Sequence, residues 1–272
     1  MEQIQKNIKN DWGFSFAGKN TDLNNIISIL EQNNISSLDI SFDLLSASFI
    51  SKIKTNFPLI SINHLINIDI RNILNEKASF SRLFLIEFEK KLNELPDNFA
   101  KFATVNINLE DCAGDMFYYE DCIHFLRKIA IILYTKKINL CIPERVPAVV
   151  KDANTEFYRK ILSDIMLPNI YLAIEIYPHE LMDREKFQKT ILENRFDTGI
   201  IRIKYDTLSG NIISKNILSC IKIAINCLPS VMYFFDPMRY DYPFYQKEIR
   251  FISEMFAKIE AQQEMKQSTE FS

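Results

Sequence analysis

The sequence predicts a (β/α)8 barrel, the TIM-barrel fold. The chain has 272 residues, which is close to the ~250 residues that this single-domain fold usually needs. Short β-rich runs alternate with helical patterns along it, which favours a sheet of parallel strands joined by right-handed helical crossovers. Eight strands are predicted: Trp12 to Ala17, Ser37 to Phe42, Leu59 to Leu65, Ala103 to Leu109, Asn139 to Ile142, Ile170 to Ile176, Gly199 to Tyr205 and Val231 to Phe235.

Apolar residues at helical spacing separate these strands. The first helix has Leu23, Ile26, Ile27 and Leu30 on one face, after cap residues in the Asn20-Thr21-Asp22 stretch. Further helices are predicted from Ala78 to Leu95, ended by Pro96, and from Phe117 to Tyr134. A last helix is predicted from about Pro243 to Ala261.

An open, doubly wound sheet is the alternative, and the first turn argues against it. That turn reads Phe16-Ala17-Gly18-Lys19 and lacks the GxGxxG pattern of a dinucleotide-binding sheet. Since no Pro-, Gly- or Ser-rich linker interrupts the chain, residues 1–262 are predicted to form one barrel domain. Residues 263–272 are predicted to be a frayed polar tail.

Composition limits the classes of partner. The formal net charge of −3 argues against a dedicated nucleic-acid binder, which usually carries a basic face. No apolar run approaches the ~18 residues of a membrane helix, and the first residues show no signal-peptide pattern. Five cysteines without a CxxC spacing indicate reduced thiols. We therefore expect a cytoplasmic protein that binds a small polar substrate, and a homo-oligomer is compatible with the sequence.

The two faces of the predicted strands differ in polarity. Side chains alternate along a strand, and one face is apolar in nearly every run, as in Phe14, Leu38 and Ile201. The opposite face is polar: Ser15, Asp39, Ser41, Asp43, Ser61, Asn63, Asn106, Asn108, Glu110, Glu175, Arg202, Lys204 and Asp236. Since branched apolar residues normally fill a barrel, this pattern predicts a wet polar cavity at the carboxyl ends of the strands. The alternative is a purely structural ion network, for example Arg202 paired with Asp39 or Glu175.

Acidic residues near strand ends are the sharpest feature. They are Glu110, Glu144, Glu175, Asp206 and Asp236. Converging carboxylates, with His179 as a nitrogen ligand, suit a divalent cation such as Mn, Mg or Zn. They also suit acid–base chemistry on a sugar-like substrate. The structural alternative is that each acid caps the following helix, most strongly Asp206, which precedes a turn-like stretch.

The two cations of strand seven suggest a further role. Arg202 and Lys204 on one face suit a substrate carboxylate or phosphate, and a desolvated Lys204 suits a Schiff base. Pairing with the nearby acids Asp39, Glu144 or Glu175 is the favoured alternative to Schiff-base chemistry. His64 falls on the apolar face of strand three, which predicts a satisfied core histidine rather than a ligand.

Three segments resemble the xylose-isomerase-like (AP-endonuclease-2 type) barrels. They are WGFSFAG with DLNNIISILEQNNISSLDISFD, then INLCIPERVP, and then IRIKYDTLSGN. The resemblance implies a sugar isomerase or epimerase fold in which Glu144 has the role of a metal-binding strand-five Glu and Asp206 fits the strand-seven Asp. The pattern departs from the family at strand six, where Glu175 and His179 are four residues apart instead of forming Asp-x-x-His. Arg202 stands where a His is expected, and strand eight ends in Asp236 instead of Glu.

Two functions follow as hypotheses. The first is an isomerase or epimerase of a sugar-like substrate, with catalytic residues Glu144, Glu175 and Lys204. Substrate would contact Asp39, Asn63, Asn106, Asn108, Arg202 and Asp236. A divalent metal would bind Glu144, Glu175, His179 and Asp206. The second, motivated by the broken family pattern, is a catalytically degenerate barrel that binds a ligand or a partner protein.

Overall fold

A computed structural model of the chain contains a closed barrel of eight parallel strands in the order β1 to β8, which confirms the predicted fold class. The structure describes residues 11–16, 23–33, 35–67, 79–106, 116–147, 155–177, 183–205, 211–228, 231–237, 249–254, 257–259 and 261. The predicted tail, residues 263–272, lies outside them. No helix in these ranges is long and apolar enough to cross a bilayer.

Every strand is followed by helical residues. The strands are β1 Asp11–Ser15, β2 Ser37–Ser41, β3 Ser61–Asn67, β4 Phe102–Asn106, β5 Asn139–Pro147, β6 Ile170–Tyr177, β7 Thr198–Tyr205 and β8 Met232–Pro237. The helices are α1 Leu23–Gln32, α2 Ala47–Asn56, α3 Ser79–Asn93, α4 Met116–Thr135, α5 Thr155–Ile165, α6 Arg184–Glu193 and α7 Asn211–Cys227. After β2 a short 3-10 turn covers Phe42–Leu44, and residues 249–254 are helical within the predicted last helix.

Side-chain caps begin two of the helices. The hydroxyl of Ser46 accepts a hydrogen bond from Phe49 N at 3.1 Å before α2. The carboxylate of Asp183 accepts one from Lys186 N, also at 3.1 Å, before α6. Each cap satisfies a backbone donor that the first turn of a helix leaves without a partner.

The strand alternation separates two apolar clusters. The larger one packs strand residues such as Phe14 and Leu38 against residues from the surrounding helices, among them Ile26 and Leu126. The smaller one consists of strand residues alone and therefore lies inside the barrel: Phe102, Cys141, Ala173, Ile200, Met232 and Phe234, with Tyr171 packed against it. On β4, β6, β7 and β8 its residues share the strand face of the predicted polar set, so the predicted inward face is confirmed for these four strands.

Strand five is longer than predicted. The sequence analysis ends this strand at Ile142, yet β5 continues through Pro143 to Pro147 and pairs with β6 from Leu140 to Pro147. A proline is tolerated in a strand where its missing N–H is not required by the ladder. Glu144 therefore lies within β5 and does not follow it.

Close contact between β1 and β2 requires a glycine at position 13. A Cβ atom at Gly13 would overlap the backbone carbonyl of Ser37 on β2, and that backbone is held in place by the strand pairing. At Gly199 on β7 the obstacle is different: the new Cβ would lie 2.8 Å from a ring atom of Phe102. A side-chain ring adjusts more easily than a paired backbone.

We expect Gly13→Ala to lower the free energy of unfolding by about 3 kcal/mol, the upper end of the usual cost of overpacking. Gly199→Ala is the matched comparison and is expected to cost about 1 kcal/mol. Urea denaturation of both variants measures the difference. Equal losses would show that the β1–β2 contact is not the tighter of the two.

His64 is a core residue, as predicted. Its ring is fully buried with its centroid 5.4 Å from that of Phe42 and 5.4 Å from that of Phe99. Neither ring nitrogen has a hydrogen-bond partner among the described residues, so the prediction that the histidine is satisfied was wrong. Burial, with a smaller contribution from the charge of Lys91, lowers the pKa of His64 to about 3.

This burial makes the fold sensitive to acid. The folded state holds His64 neutral, while the unfolded chain takes up a proton below its ordinary pKa of about 6.5. The contribution of neutral His64 to the free energy of unfolding is therefore present above this ordinary pKa. It is lost as the pH falls from there toward 3. We expect this residue alone to remove about 2 kcal/mol of unfolding free energy between pH 6.5 and 5.

His64→Phe preserves the aromatic packing and is expected to flatten that pH dependence in urea denaturation. The exposed His124 provides the control, because His124→Asn should leave the slope unchanged. A His64→Phe protein with the wild-type slope would contradict the assignment.

Candidate functional site

A chain of buried hydrogen bonds runs across β4, β3 and β2 inside the barrel. The hydroxyl of Thr104 donates to Asn63 Oδ1 at 3.2 Å, and Asn63 Nδ2 donates to Asp39 Oδ1 at 2.6 Å. All three residues are fully buried. Strand alternation places them on the inward face, so the floor of the site is hydrogen-bonded across three neighbouring strands.

Arg202 on β7 connects this floor to β6. Its Nη2 lies 2.9 Å from Asp39 Oδ2, and its Nη1 lies 3.2 Å from Glu175 Oε1. Lys204, two residues further along β7, places Nζ 2.8 Å from Glu175 Oε2. The chain of polar contacts thus runs from β4 through β3 and β2 to β7 and β6. The structural alternative foreseen for Arg202, pairing with Asp39 or Glu175, is realised with both acids.

The cations fix the protonation state of Glu175. Burial raises the pKa of Glu175, but the charges and hydrogen bonds of Arg202 and Lys204 outweigh it, and the pKa lies below its ordinary value. Burial lowers the pKa of Lys204, yet Glu175 more than offsets this, and the pKa lies above its ordinary value. Burial likewise opposes the charge of Arg202, and its acidic neighbours, Asp39 first, raise its pKa. The site therefore holds a carboxylate and two cations at neutral pH.

A protonated Lys204 has a defined chemical role. An ammonium group donates hydrogen bonds and stabilises negative charge, while a Schiff base requires the free amine. The raised pKa of Lys204 supports the alternative that the sequence favoured, pairing with an acid.

Solvent reaches the site from the carboxyl ends of β6, β7 and β8. The side chain of Lys204 is 23% exposed, against 3% for Arg202 below it. Tyr177 and Asp236 are partly exposed at the same end. The hydroxyl of Tyr177 donates to Glu175 Oε2 at 3.4 Å, and Asp236 pairs in register with Lys204. The polar interior is therefore a buried network with a partly exposed top, not the wet cavity expected at Asp39, Asn63 and Arg202.

Glu144 and Glu175 do not share a strand face. In the β5–β6 pairing, Glu144 is in register with Ile174 and Arg145 with Glu175. Ile174 belongs to the cluster between strands and helices. Glu144 is buried, and strand alternation puts it on the helix side of β5. Its catalytic and metal-binding roles stay predictions, without support from this register.

Four other predicted site residues cannot be placed. Asn108, His179 and Asp206 lie outside the described residues, and Asn106 is described only as a backbone position in β4.

Two members of the network were missed in the sequence. Thr104 lies two residues before Asn106 and Tyr177 two residues after Glu175. The two-residue period of the inward face marks both positions. They were overlooked because a threonine and a tyrosine in a strand read as ordinary β formers.

The described residues do not fit a divalent metal. Among them, no group of three or more His, Cys, Asp or Glu side chains is arranged to hold an ion. The interior carboxylates Asp39 and Glu175 already bind Arg202 and Lys204, and a second positive charge beside those cations would be repelled.

Comparison with solved structures places the fold among known barrels. The D-allulose 3-epimerase from Methylomonas sp. has a TM-score of 0.63 and 11% identity over 91% of this chain and 98% of that chain. A xylose isomerase domain protein from Alicyclobacillus acidocaldarius has a TM-score of 0.56 and 9% identity over 90% and 95%. The AP endonuclease, family 2, from Brucella melitensis has a TM-score of 0.55 and 10% identity over 87% and 96%.

The amino-acid sequence shows less similarity to known proteins than the fold does. No protein-family model matches the chain, and no curated protein matches it. The similarity in structure therefore concerns the fold. At that level the resemblance to xylose-isomerase-like barrels that the sequence motifs indicated is confirmed.

Replacing Arg202 tests the buried network. Arg202→Met leaves Asp39 and Glu175 buried without their shared cation, and we expect the free energy of unfolding to fall by about 3–5 kcal/mol at pH 7. Arg202 lowers the pKa of Glu175, so without this cation the pKa of Glu175 rises and burial favours the protonated acid. The loss should therefore shrink as the pH is lowered to about 4.5.

The exposed pair Arg250 and Glu254 supplies the control, with Nε and Oε1 3.2 Å apart. Arg250→Met is expected to change stability by less than about 0.5 kcal/mol at either pH. Urea denaturation at both pH values measures the effects. An Arg202→Met loss that does not vary with pH would contradict the ionic network.

Proposed function

We propose that this barrel is an isomerase or epimerase of a small sugar-like molecule, acting by proton transfer at the carboxyl ends of β6, β7 and β8. The observation that carries the proposal is the contact between Glu175 and Lys204, a carboxylate and an ammonium 2.8 Å apart at the partly exposed top of a polar barrel interior. Active sites of such barrels lie at this end. The sugar epimerase among the similar structures supports the substrate class.

The reaction would use both groups. Glu175 takes the proton from a carbon next to a carbonyl, and the electron pair moves toward the carbonyl oxygen. Lys204 donates a hydrogen bond to that oxygen and stabilises its developing charge. Epimerisation follows when solvent water at the exposed end delivers a proton to the opposite face of the carbon and Glu175 passes its proton to solvent. Isomerisation follows when Glu175 returns the proton to the former carbonyl carbon and the hydroxyl proton of the first carbon moves to the former carbonyl oxygen.

Substrate binding would activate the carboxylate. In the free protein Lys204 and Arg202 lower the pKa of Glu175, which makes it a weak base. When a substrate oxygen accepts a hydrogen bond from the Lys204 ammonium, the contact between Lys204 and Glu175 weakens. The pKa of Glu175 then rises toward the value that proton transfer requires.

The charge balance favours a neutral substrate. Arg202 already bonds Asp39 and Glu175, and Lys204 already bonds Glu175, so neither of these two cations carries a charge left unbalanced for a ligand. An anionic substrate therefore gains little attraction from them. Free ketoses are the better candidates, and phosphorylated sugars are the poorer ones.

A second candidate is a binding protein without turnover. Both oxygens of Glu175 are already hydrogen-bonded, Oε1 to Arg202 and Oε2 to Lys204 and Tyr177. A ligand that does not displace Lys204 would bind above this network without proton transfer.

Proton exchange distinguishes the two candidates. The purified protein is incubated in D2O with D-fructose, D-allulose or L-ribulose, and with the corresponding phosphate esters, and loss of the C–H signal next to the carbonyl is followed by NMR. We expect exchange with a free ketose, and a decrease of about 100-fold or more in Glu175→Gln, as for loss of a general base.

Glu254 is an exposed carboxylate that follows the last strand of the barrel in the sequence. Glu254→Gln is therefore the control and should retain the wild-type rate. Glu144→Gln in the same assay tests the role that the sequence predicted for that residue. Ligand-induced thermal stabilisation without any exchange would favour the binding protein. Exchange that survives in Glu175→Gln would contradict the proposed role of this carboxylate.

A further inference from the structure

Two carboxylates inside the barrel, those of Asp39 and Glu175, are neutralised by side chains of the chain itself. Arg202 bonds Asp39 at 2.9 Å and Glu175 at 3.2 Å, and Lys204 bonds the second oxygen of Glu175 at 2.8 Å. These acids are at most 8% exposed. The cations therefore act in surroundings that screen charge poorly.

A divalent ion would need the same oxygen atoms. Hard cations bind carboxylate oxygens at roughly 2.0–2.6 Å, which would bring the ion next to the Lys204 ammonium and the Arg202 guanidinium. The repulsion from the buried Arg202 and the partly exposed Lys204 opposes binding. Displacement of Lys204 would remove the shorter of the two contacts to Glu175 Oε2 and open that oxygen to another ligand.

The top cation is the one that a ligand can reach. Lys204 is 23% exposed at its side chain, whereas Arg202 is 3% exposed beneath it. Arg202 also has a buried Nε–H that donates to no acceptor in the described ranges. A polyhydroxylated ligand or a water molecule has the oxygen atoms that such donors bind.

We infer that Lys204, supported by Arg202, takes the electrostatic place of a divalent cation in this barrel and binds ligand oxygens directly. The catalytic meaning of this inference rests on the proposed function, since it concerns the same site. Its physical content, which is competition between Lys204 and a metal for Glu175, does not depend on turnover.

Titration with Mn²⁺, followed by electron paramagnetic resonance without any sugar, tests that content. The wild-type protein is expected to bind Mn²⁺ weakly. Lys204→His puts a nitrogen ligand between Glu175 on β6 and Asp236 on β8, and should bind Mn²⁺ at least about tenfold more tightly. Lys204→Asn, which removes the charge without adding a strong ligand, should also bind more tightly than wild type.

Matched controls separate the site from the surface. Lys222→His adds a histidine to the exposed side of α7 and should behave as wild type. Circular dichroism and thermal melting verify that each Lys204 variant folds, and the Asn variant keeps the test available if the His variant does not. Adding Glu175→Gln to a Lys204 variant should abolish its gain.

The Mn²⁺ titration tests the inference without any measurement of activity. Tight binding of one equivalent of Mn²⁺ by the wild-type protein, lost in Glu175→Gln, would overturn it. Equal, weak binding by wild type and both Lys204 variants would also overturn it, because Lys204 would then not be what keeps the metal away. A negative proton-exchange assay with the expected Mn²⁺ results would refute the proposed function and leave the inference standing.

Discussion

The guanidinium of Arg202 is the group on which the interior of this barrel depends. It lies between Asp39 on β2 and Glu175 on β6, strands that are four positions apart in the closed order and therefore face each other across the barrel. An ion pair of this kind gains little net stability, because two charges lose their hydration when they are buried. Its consequence is geometric. Removal of the cation would leave two buried acids without their shared partner, so the native arrangement is strongly preferred over any arrangement that separates Arg202 from Asp39 and Glu175.

The rest of the interior is arranged around this bridge in layers. Phe102, Cys141, Ala173, Ile200, Met232 and Phe234 form an apolar layer inside the barrel. Asn63 and Thr104 hold Asp39 from the β3 and β4 side. Lys204 and Tyr177 contact Glu175 at the partly exposed end. Apart from the Nε–H of Arg202, which has no acceptor among the described residues, these polar groups bond one another, and only Lys204 and Tyr177 meet solvent.

Several features of the site could be read from the sequence because they follow from periodicity. The alternation of Leu38, Asp39 and Ile40, or of Ile201, Arg202 and Ile203, puts the charged residue on the face opposite the apolar ones. In a barrel whose outer helices cover the apolar face, the charged face is the inward one. Thr104 and Tyr177 obey the same period and could have been included. The end of β5 could not be read in this way, because Pro143 interrupts the local pattern while pairing with β6 extends the strand to Pro147. That extension separates the faces of Glu144 and Glu175, which the sequence had paired.

The amino-acid sequence by itself determined the eight-stranded barrel, the inward polar face and the set of charges on it, since these depend on local spacing and on the length of the chain. Only the tertiary structure decided which charges meet. Asp39 and Arg202 are 163 residues apart, and nothing local distinguishes Asp39 from Glu144 as a partner for Arg202. Barrel closure and strand register bring the first pair within hydrogen-bond distance and place Glu144 on the other side of the sheet. The physical reason is that register is a property of pairs of strands, and contact across the barrel is a property of all eight.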